Sequence, residues 1–229
     1  MRDMNQERTE RIIRAVAFDM DGVLIDSEPV YLRHTVKMLE EDHPQVTEEA
    51  MHPTVGMRSK EYRTFMADLL RMEEEDPEFE RLRDRVNGEC HVDYHSIMRP
   101  EVPDMLQTLR EMGMKIALAS SSSLSNIRQV LRECGITDYF DSIVSGESFV
   151  NGKPDPEIYL CTFERIGAKP EECLVVEDST YGVAAGAASG ALVAALRDKR
   201  FSFDQSPADL QIDSLAEVPG IAGAGGRSV

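Results

Sequence analysis

The chain has 229 residues, enough to bury a full core in one domain or in a domain that carries an insertion. Its 42 acidic side chains against 25 basic ones give a formal charge of -17, a field that repels phosphate backbones and anionic lipid and so argues against nucleic acid or a membrane surface as partner. Cys90, Cys134, Cys161 and Cys173 show no metal or disulfide spacing, the first residues are charged without a signal-like apolar run, and no apolar stretch is long enough to span a bilayer; the expectation is a soluble cytoplasmic protein.

In chain order, the first predicted strand is Ala15–Phe18, an apolar run that stops abruptly at Asp19, Met20, Asp21 and Gly22. A buried strand thus delivers two carboxylates to its C-terminal end, the edge where open α/β sheets bind ligands. An acidic turn alone explains Asp21-Gly22, but not a second acid two residues earlier. Residues 28–98 are charged, lack strand-like runs and repeat apolar residues at helical spacing, as in Tyr62, Phe65, Met66, Leu69 and Leu70, which predicts an all-helical segment.

From Pro100 helices and strands alternate. Pro103 opens a helix with the apolar face Met105, Leu106, Leu109 and Met112, ended by Gly113 and followed by a strand at Lys115–Ser120. Leu124, Ile127, Val130 and Leu131 mark the next helix, closed by Gly135, and a short strand follows around Ile143 and Val144. Asp155 as N-cap and Pro156 at the first helical position begin a helix that fades at Gly167. Strands at 173–176, 191–196 and Leu210–Ile212 remain, with a small-residue helix near 181–189 and a loose Gly/Ala-rich tail at 219–229. The predicted fold is α/β, a doubly wound, Rossmann-like parallel sheet. Its core is residues 1–27 and 99–229, with an all-helical cap of residues 28–98 inserted after the first strand and over the crevice.

Other strands bring chemistry to the same edge. The second ends in the hydroxyls of Ser120, Ser121, Ser122 and Ser123 before a helix, an anion cradle; Lys153 follows the third on a proline-bracketed loop; the fourth ends in Glu177 and Asp178. Four carboxylates so close repel unless a cation sits among them, and hard oxygen ligands suit Mg2+. Such an ion and Lys153 would supply the positive site that an acidic chain lacks.

DMDGVLIDSE, ALASSS, the Lys of NGKPDPEIY and VVEDS, in this order and each after a strand, resemble the four motifs of the haloacid dehalogenase-like superfamily over residues 15–218, with 28–98 as its type 1 cap. The resemblance implies that Asp19 is a nucleophile forming an aspartyl-phosphate and a metal ligand through its carboxylate. It implies Asp21 as general acid/base and metal ligand through its carbonyl, Ser120 and the Ser121 N–H as phosphate binders, and Lys153 as charge stabiliser. Asp178 is implied as a direct metal ligand and Glu177 as holding a metal-bound water or Lys153. Dehalogenases of the superfamily lack an acid at the position of Asp21, which points to phosphoryl chemistry here.

The segment also resembles the branch that contains β-phosphoglucomutase and several sugar-phosphate and small-metabolite phosphatases. Tyr31 aligns where mutases place a His, and Arg58 and Lys60 are offset from the mutases' basic cap residue. The expectation is therefore a Mg2+-dependent phosphatase of a small phosphorylated metabolite, a sugar or polyol phosphate, ahead of a phosphomutase or a silent binding protein, and a monomer or weak homo-oligomer. Tyr31, Arg58 and Lys60 are candidates for specificity, with Tyr62 and Arg63 beside them. His91 and His95 have the spacing of a metal pair on a helix but no third ligand, and are read as solvated. Gly182, Gly186 and Gly190 are read as close packing on the sheet, and the charged run of residues 73–85 as an exposed, salt-bridged face.

Overall fold

The side chains of β1 (Ala15–Phe18) are all buried, as expected of a central strand in a parallel sheet covered on both faces. The structure is a computed structural model that describes residues 11–57, 59–88 and 90–224. β1 pairs in parallel with β2 (Lys115–Ser120) and β4 (Cys173–Glu177); β3 (Ser142–Ser145), β5 (Leu192–Leu196) and β6 (Leu210–Ile212) complete a six-stranded sheet of order β3-β2-β1-β4-β5-β6. Phe18 is level with Leu118 on one side and Val176 on the other. The residues after β1 therefore emerge beside the ends of β2 and β4, where the strand order reverses.

Strand alternation assigns the two faces. Val16, Phe18, Ile116, Leu118, Leu174 and Val176 pack under α6 (Val102–Glu111) and α7 (Leu124–Glu133), while Ala15, Ala17, Ala119, Val175 and Val193 pack under α8 (Glu157–Ile166) and α9 (Thr180–Ala188). Between β1 and β2 lie α1 (Glu28–Leu39), α2 (Glu48–Met51), α3 (Ser59–Leu70), α4 (Pro77–Gly88) and α5 (Tyr94–Ile97). The first four enclose an apolar cluster of their own, including Leu32, Val36, Met51, Met66, Phe79 and Leu82, whereas Tyr94 of α5 joins the cluster of the sheet. Arg63 pairs with Glu74 and Glu80 and lies over Phe79, so it braces the cap surface.

The loop after β5 reaches back to the cap. Phe201 meets His52 edge-on with ring centroids 6.0 Å apart and Phe203 packs against Gly56, while Arg200 pairs at 2.6 Å with Asp26, just before the first cap helix. Among the described residues no helix is long and apolar enough to cross a membrane.

Three local expectations are corrected. The helix expected to start at Pro156 starts at Glu157, with Pro156 at the cap; Asp155 still accepts from the Glu157 N–H at 3.0 Å, one residue outside the N-cap position expected of it. Met112 lies beyond α6 and is 39 % exposed, its methyl reaching toward Gly223 rather than the sheet. The tail expected to be loose begins as a helix, α10 (Val218–Ala224), because Val218 and Ala222, four residues apart, bury one face beside α6. Residues 225–229 lie outside the described residues.

Candidate active site

The flush ends of β1, β2 and β4 set the floor of a cavity of about 1090 Å³ roofed by the cap. Asp19, Ser120, Glu177 and Asp178 at these ends are buried, as is Lys153 on the loop after β3. Lys153 Nζ donates to Asp19 Oδ1 at 2.6 Å, to Glu177 Oε1 at 2.6 Å and to the Ala119 carbonyl at 3.0 Å, which uses all three of its protons. Tyr159, three residues into α8, donates to Glu177 Oε1 at 2.7 Å and lays its ring 5.0 Å from the ammonium. The other Glu177 oxygen accepts from the Asp178 N–H at 3.1 Å and from Ser179 Oγ at 3.3 Å.

Asp21 is held from both sides: Ser27 Oγ donates to Oδ1 at 2.8 Å and Ser122 Oγ to Oδ2 at 2.7 Å. Ser120 Oγ accepts from the Ser122 N–H at 3.1 Å, which shapes the turn into α7, while Ser121 is exposed and lines the cavity. Gly22 carries a φ of 76°, and a Cβ there would fall 2.1 Å from Asp178 Oδ2, so the bare turn lets the Asp178 carboxylate pack against the loop that carries Asp19 and Asp21.

The electrostatics follow from this crowding. Burial lifts the Asp19 carboxyl to about 8; Lys153 opposes the rise, and Glu177 and Asp21 add to it. Burial, with Glu177 and Asp19 beside it, holds Asp178 well above the usual carboxylate range. Burial works against the Lys153 charge, but Asp19 and Glu177 outweigh it and keep the ammonium protonated. Glu28, on the cavity wall at the start of α1, is pushed up to about 7 by burial and by Asp21, Asp26 and Asp198.

Oxygens of Asp19, Glu177 and Asp178 lie within 4.8 Å of one another, a set of hard donors whose raised affinity for protons marks a place suited to a cation. Both oxygens of Glu177 are already engaged, which leaves the carboxylates of Asp19 and Asp178 as the ones open to an ion. The bare backbone at Gly22, which allows Asp178 its approach, fits the same arrangement.

The structure thus brings Asp19, Asp21, Ser120, Ser121, Lys153, Glu177 and Asp178 to one place. Tyr31, Lys60 and Tyr62 line the cavity from the cap; Arg58 lies outside the described residues. His91 precedes α5 and His95 lies within it, so their supposed helical spacing is not realised, and among the described residues neither belongs to a metal-sized cluster. Ser27, Tyr159 and Glu28 were not among the sequence candidates, and Ser122, expected in the anion cradle, donates instead to Asp21. Ser122 sat in the visible serine run, and Tyr159 in the segment around Lys153, but their partners come from other strands.

A family model for haloacid dehalogenase-like hydrolases matches residues 13–190. The chain belongs to the haloacid dehalogenase-like hydrolase family. It is 33 % identical over 180 residues to the phosphorylated carbohydrates phosphatase of Thermotoga maritima, covering 78 % of this chain and 82 % of that one. It is 30 % identical over 221 residues to hexitol phosphatase B of Escherichia coli, covering 92 % and 96 %. The crystal structure of a HAD family hydrolase from Deinococcus radiodurans R1, with bound phosphate and sodium, superposes with a TM-score of 0.73 at 29 % identity, covering 94 % of this chain and 97 % of that one. With that family and with relatives named as phosphatases, the chain is an enzyme of the phosphoric monoester hydrolase class.

Proposed function

We propose that the protein is a Mg2+-dependent phosphatase that hydrolyses a small phosphorylated carbohydrate, a sugar or polyol phosphate, through an aspartyl-phosphate on Asp19. The observation that carries this reading is the convergence of Asp19, Lys153 and Asp178 on one buried point, with Asp21 held at its edge by two hydroxyls. An oxygen of Asp19 attacks phosphorus, forming the new P–O bond as the bond to the substrate alcohol breaks. Asp21 gives its proton to the departing alkoxide, then takes one from the water that attacks the aspartyl-phosphate, which frees Asp19 and inorganic phosphate.

Lys153 neutralises charge on Asp19 and the transferring group, and Ser120 Oγ with the Ser121 N–H holds phosphoryl oxygens. The Asp19 and Asp178 carboxylates and the Asp21 carbonyl would hold Mg2+, which would supply charge neutralisation at the phosphoryl group. Glu177 anchors Lys153. Residues 28–98 serve as a cap on the core of residues 1–27 and 99–229, shielding the site from water and carrying the contacts that choose the leaving group. The relatives named for phosphorylated carbohydrates and hexitols support that choice of substrate.

Phosphate release from p-nitrophenyl phosphate and from a panel of hexose, hexitol, glycerol and nucleoside phosphates, with Mg2+ and with chelator, tests the reading. Chelation is expected to abolish turnover, and Asp19→Asn to reduce it by more than about a thousandfold. Absence of turnover on every ester would overturn the activity, and nucleotides turned over as fast as hexitol phosphates would overturn the substrate class.

A further inference from the structure

Three side chains form a path from the sheet domain to the cap beside the cavity. Tyr94 of α5 is buried; its hydroxyl accepts from Asn126 Nδ2 of α7 at 2.8 Å and lies 3.4 Å from the hydroxyl of Tyr31 on α1. A buried phenol has one proton to place, and leaving it without an acceptor is costly. Asn126 arrives as a donor, and among the described residues the Tyr94 hydroxyl has no other hydrogen-bond partner than Tyr31. Donation to Tyr31 is the arrangement that gives this proton a protein acceptor among the described residues. The Tyr31 oxygen has then received one proton, and its own O–H remains for the cavity that all three residues line. Burial and the nearby Asp21 charge hold the Tyr31 phenol above its ordinary range, so it stays a donor at any working pH.

We propose that Asn126, Tyr94 and Tyr31 are a hydrogen-bond relay that presents the Tyr31 hydroxyl, as donor, to a hydroxyl oxygen of the substrate's alcohol portion beside Asp21, so that the site selects hydroxylated leaving groups. The inference rests on the phosphatase reading and names the contact that chooses the leaving group. Tyr31 touches substrate; Tyr94 and Asn126 act through it as positioning residues. Because Tyr31 belongs to the cap and Asn126 to the core, the donor is aimed when the cap is seated on the core.

The polarity of the relay can be reversed. In Asn126→Asp the carboxylate only accepts, so the Tyr94 proton turns to it, the Tyr31 proton turns to Tyr94, and the cavity loses its donor. In Asn126→Gln an amide donor is kept. The measurement is kcat and KM for sorbitol 6-phosphate and for p-nitrophenyl phosphate, whose leaving group has no hydroxyl, in the parent and in Tyr31→Phe, Asn126→Asp and Asn126→Gln.

Tyr31→Phe and Asn126→Asp are each expected to lower the ratio of kcat/KM for the hexitol phosphate to that for the aryl phosphate by about two- to tenfold, the range of one neutral hydrogen bond, chiefly through KM. Asn126→Gln keeps the parental ratio. Both substrates carry the phosphate, so the charge added at 126 cancels in the ratio. An active parent whose ratio is unmoved by Tyr31→Phe and Asn126→Asp overturns the relay, as does an Asn126→Gln that falls as far as Asn126→Asp. A parent that hydrolyses neither ester overturns the phosphatase reading and the relay with it.

Discussion

Lys153 faces two carboxylates, and the partners of each decide what that carboxylate is free to do. Glu177 is fully buried and receives four hydrogen bonds, from Lys153, Tyr159, the Asp178 N–H and Ser179, so its charge is balanced where it stands. Asp19 shares Lys153 through Oδ1 and lines the cavity floor. Removing the ammonium in Lys153→Ala leaves Glu177 buried beside a second acid, a loss of about 3–5 kcal/mol for breaking a buried pair. At roughly 2–4 °C per kcal/mol for a chain of this size, the melting temperature is expected to fall by about 6–20 °C. The double variant Lys153→Met with Glu177→Gln removes both charges and is expected to recover part of that loss without recovering phosphate release. Calorimetry beside a phosphate assay checks both, and a double variant no more stable than Lys153→Ala would contradict the account. The acids at the strand ends were legible in the sequence because each follows an apolar run. The roles of Ser27 and Ser122 were not, since a hydroxyl's partner is set by which strands become neighbours, and Asp21 meets them from opposite sides.

Helix α9 illustrates how an element is tuned to that charge network. Its N-cap Ser179 accepts from the Gly182 N–H at 3.0 Å, and Gly182 turns its bare Cα toward Glu177: a Cβ would fall 2.0 Å from the Glu177 carboxyl carbon. Helix propensity alone favours alanine over glycine by up to about 1 kcal/mol. Here the neighbour is a carboxylate fixed by four hydrogen bonds, so Gly182→Ala is expected to destabilise by about 1–3 kcal/mol and to lower kcat by displacing Glu177 and with it Lys153. Gly186→Ala meets only the methyls of Val175 and Val193, at 3.0 and 3.1 Å, and is expected to shift the melting temperature while leaving kcat close to the parental value. Equal losses of kcat in the two variants would argue against Glu177 as the anchor of Lys153. The strands were legible to within about a residue, because buried parallel strands are continuous apolar runs cut by polar residues. Helix ends were less so. At Pro156 the proline and the Asp155 turn both signal a start, one residue apart, and in the tail the abundance of Gly and Ala masked the pairing of Val218 with Ala222 that builds α10.

Across the whole molecule the cap is seated by contacts between distant segments, Phe201 with His52, Phe203 with Gly56 and Tyr181 Oη with Glu61 at 2.8 Å, which no local pattern announces. What the seated cap encloses is a concentration of acid within a chain of net charge -17. Asp19 is raised from 3.8 to about 8 and Glu28 from 4.5 to about 7, and Asp178 is raised in the same direction. Between the ordinary and the raised values the folded chain holds protons that the unfolded chain has released, so raising the pH favours unfolding. The contribution of these groups is therefore complete below about pH 4 and lost as the pH climbs through about 7 to 8. A divalent ion bound as proposed would compete with those protons for Asp19 and Asp178, so its stabilisation would grow as the carboxyls ionise. The melting temperature of the metal-free protein is expected to fall from pH 5 to pH 8, and Mg2+ to raise it more at pH 8 than at pH 5. NaCl at matched ionic strength separates this from relief of general repulsion, and Asp178→Asn should remove most of the Mg2+ increment. An increment independent of pH, or one that NaCl reproduces, would place the ion's effect elsewhere than on these carboxylates.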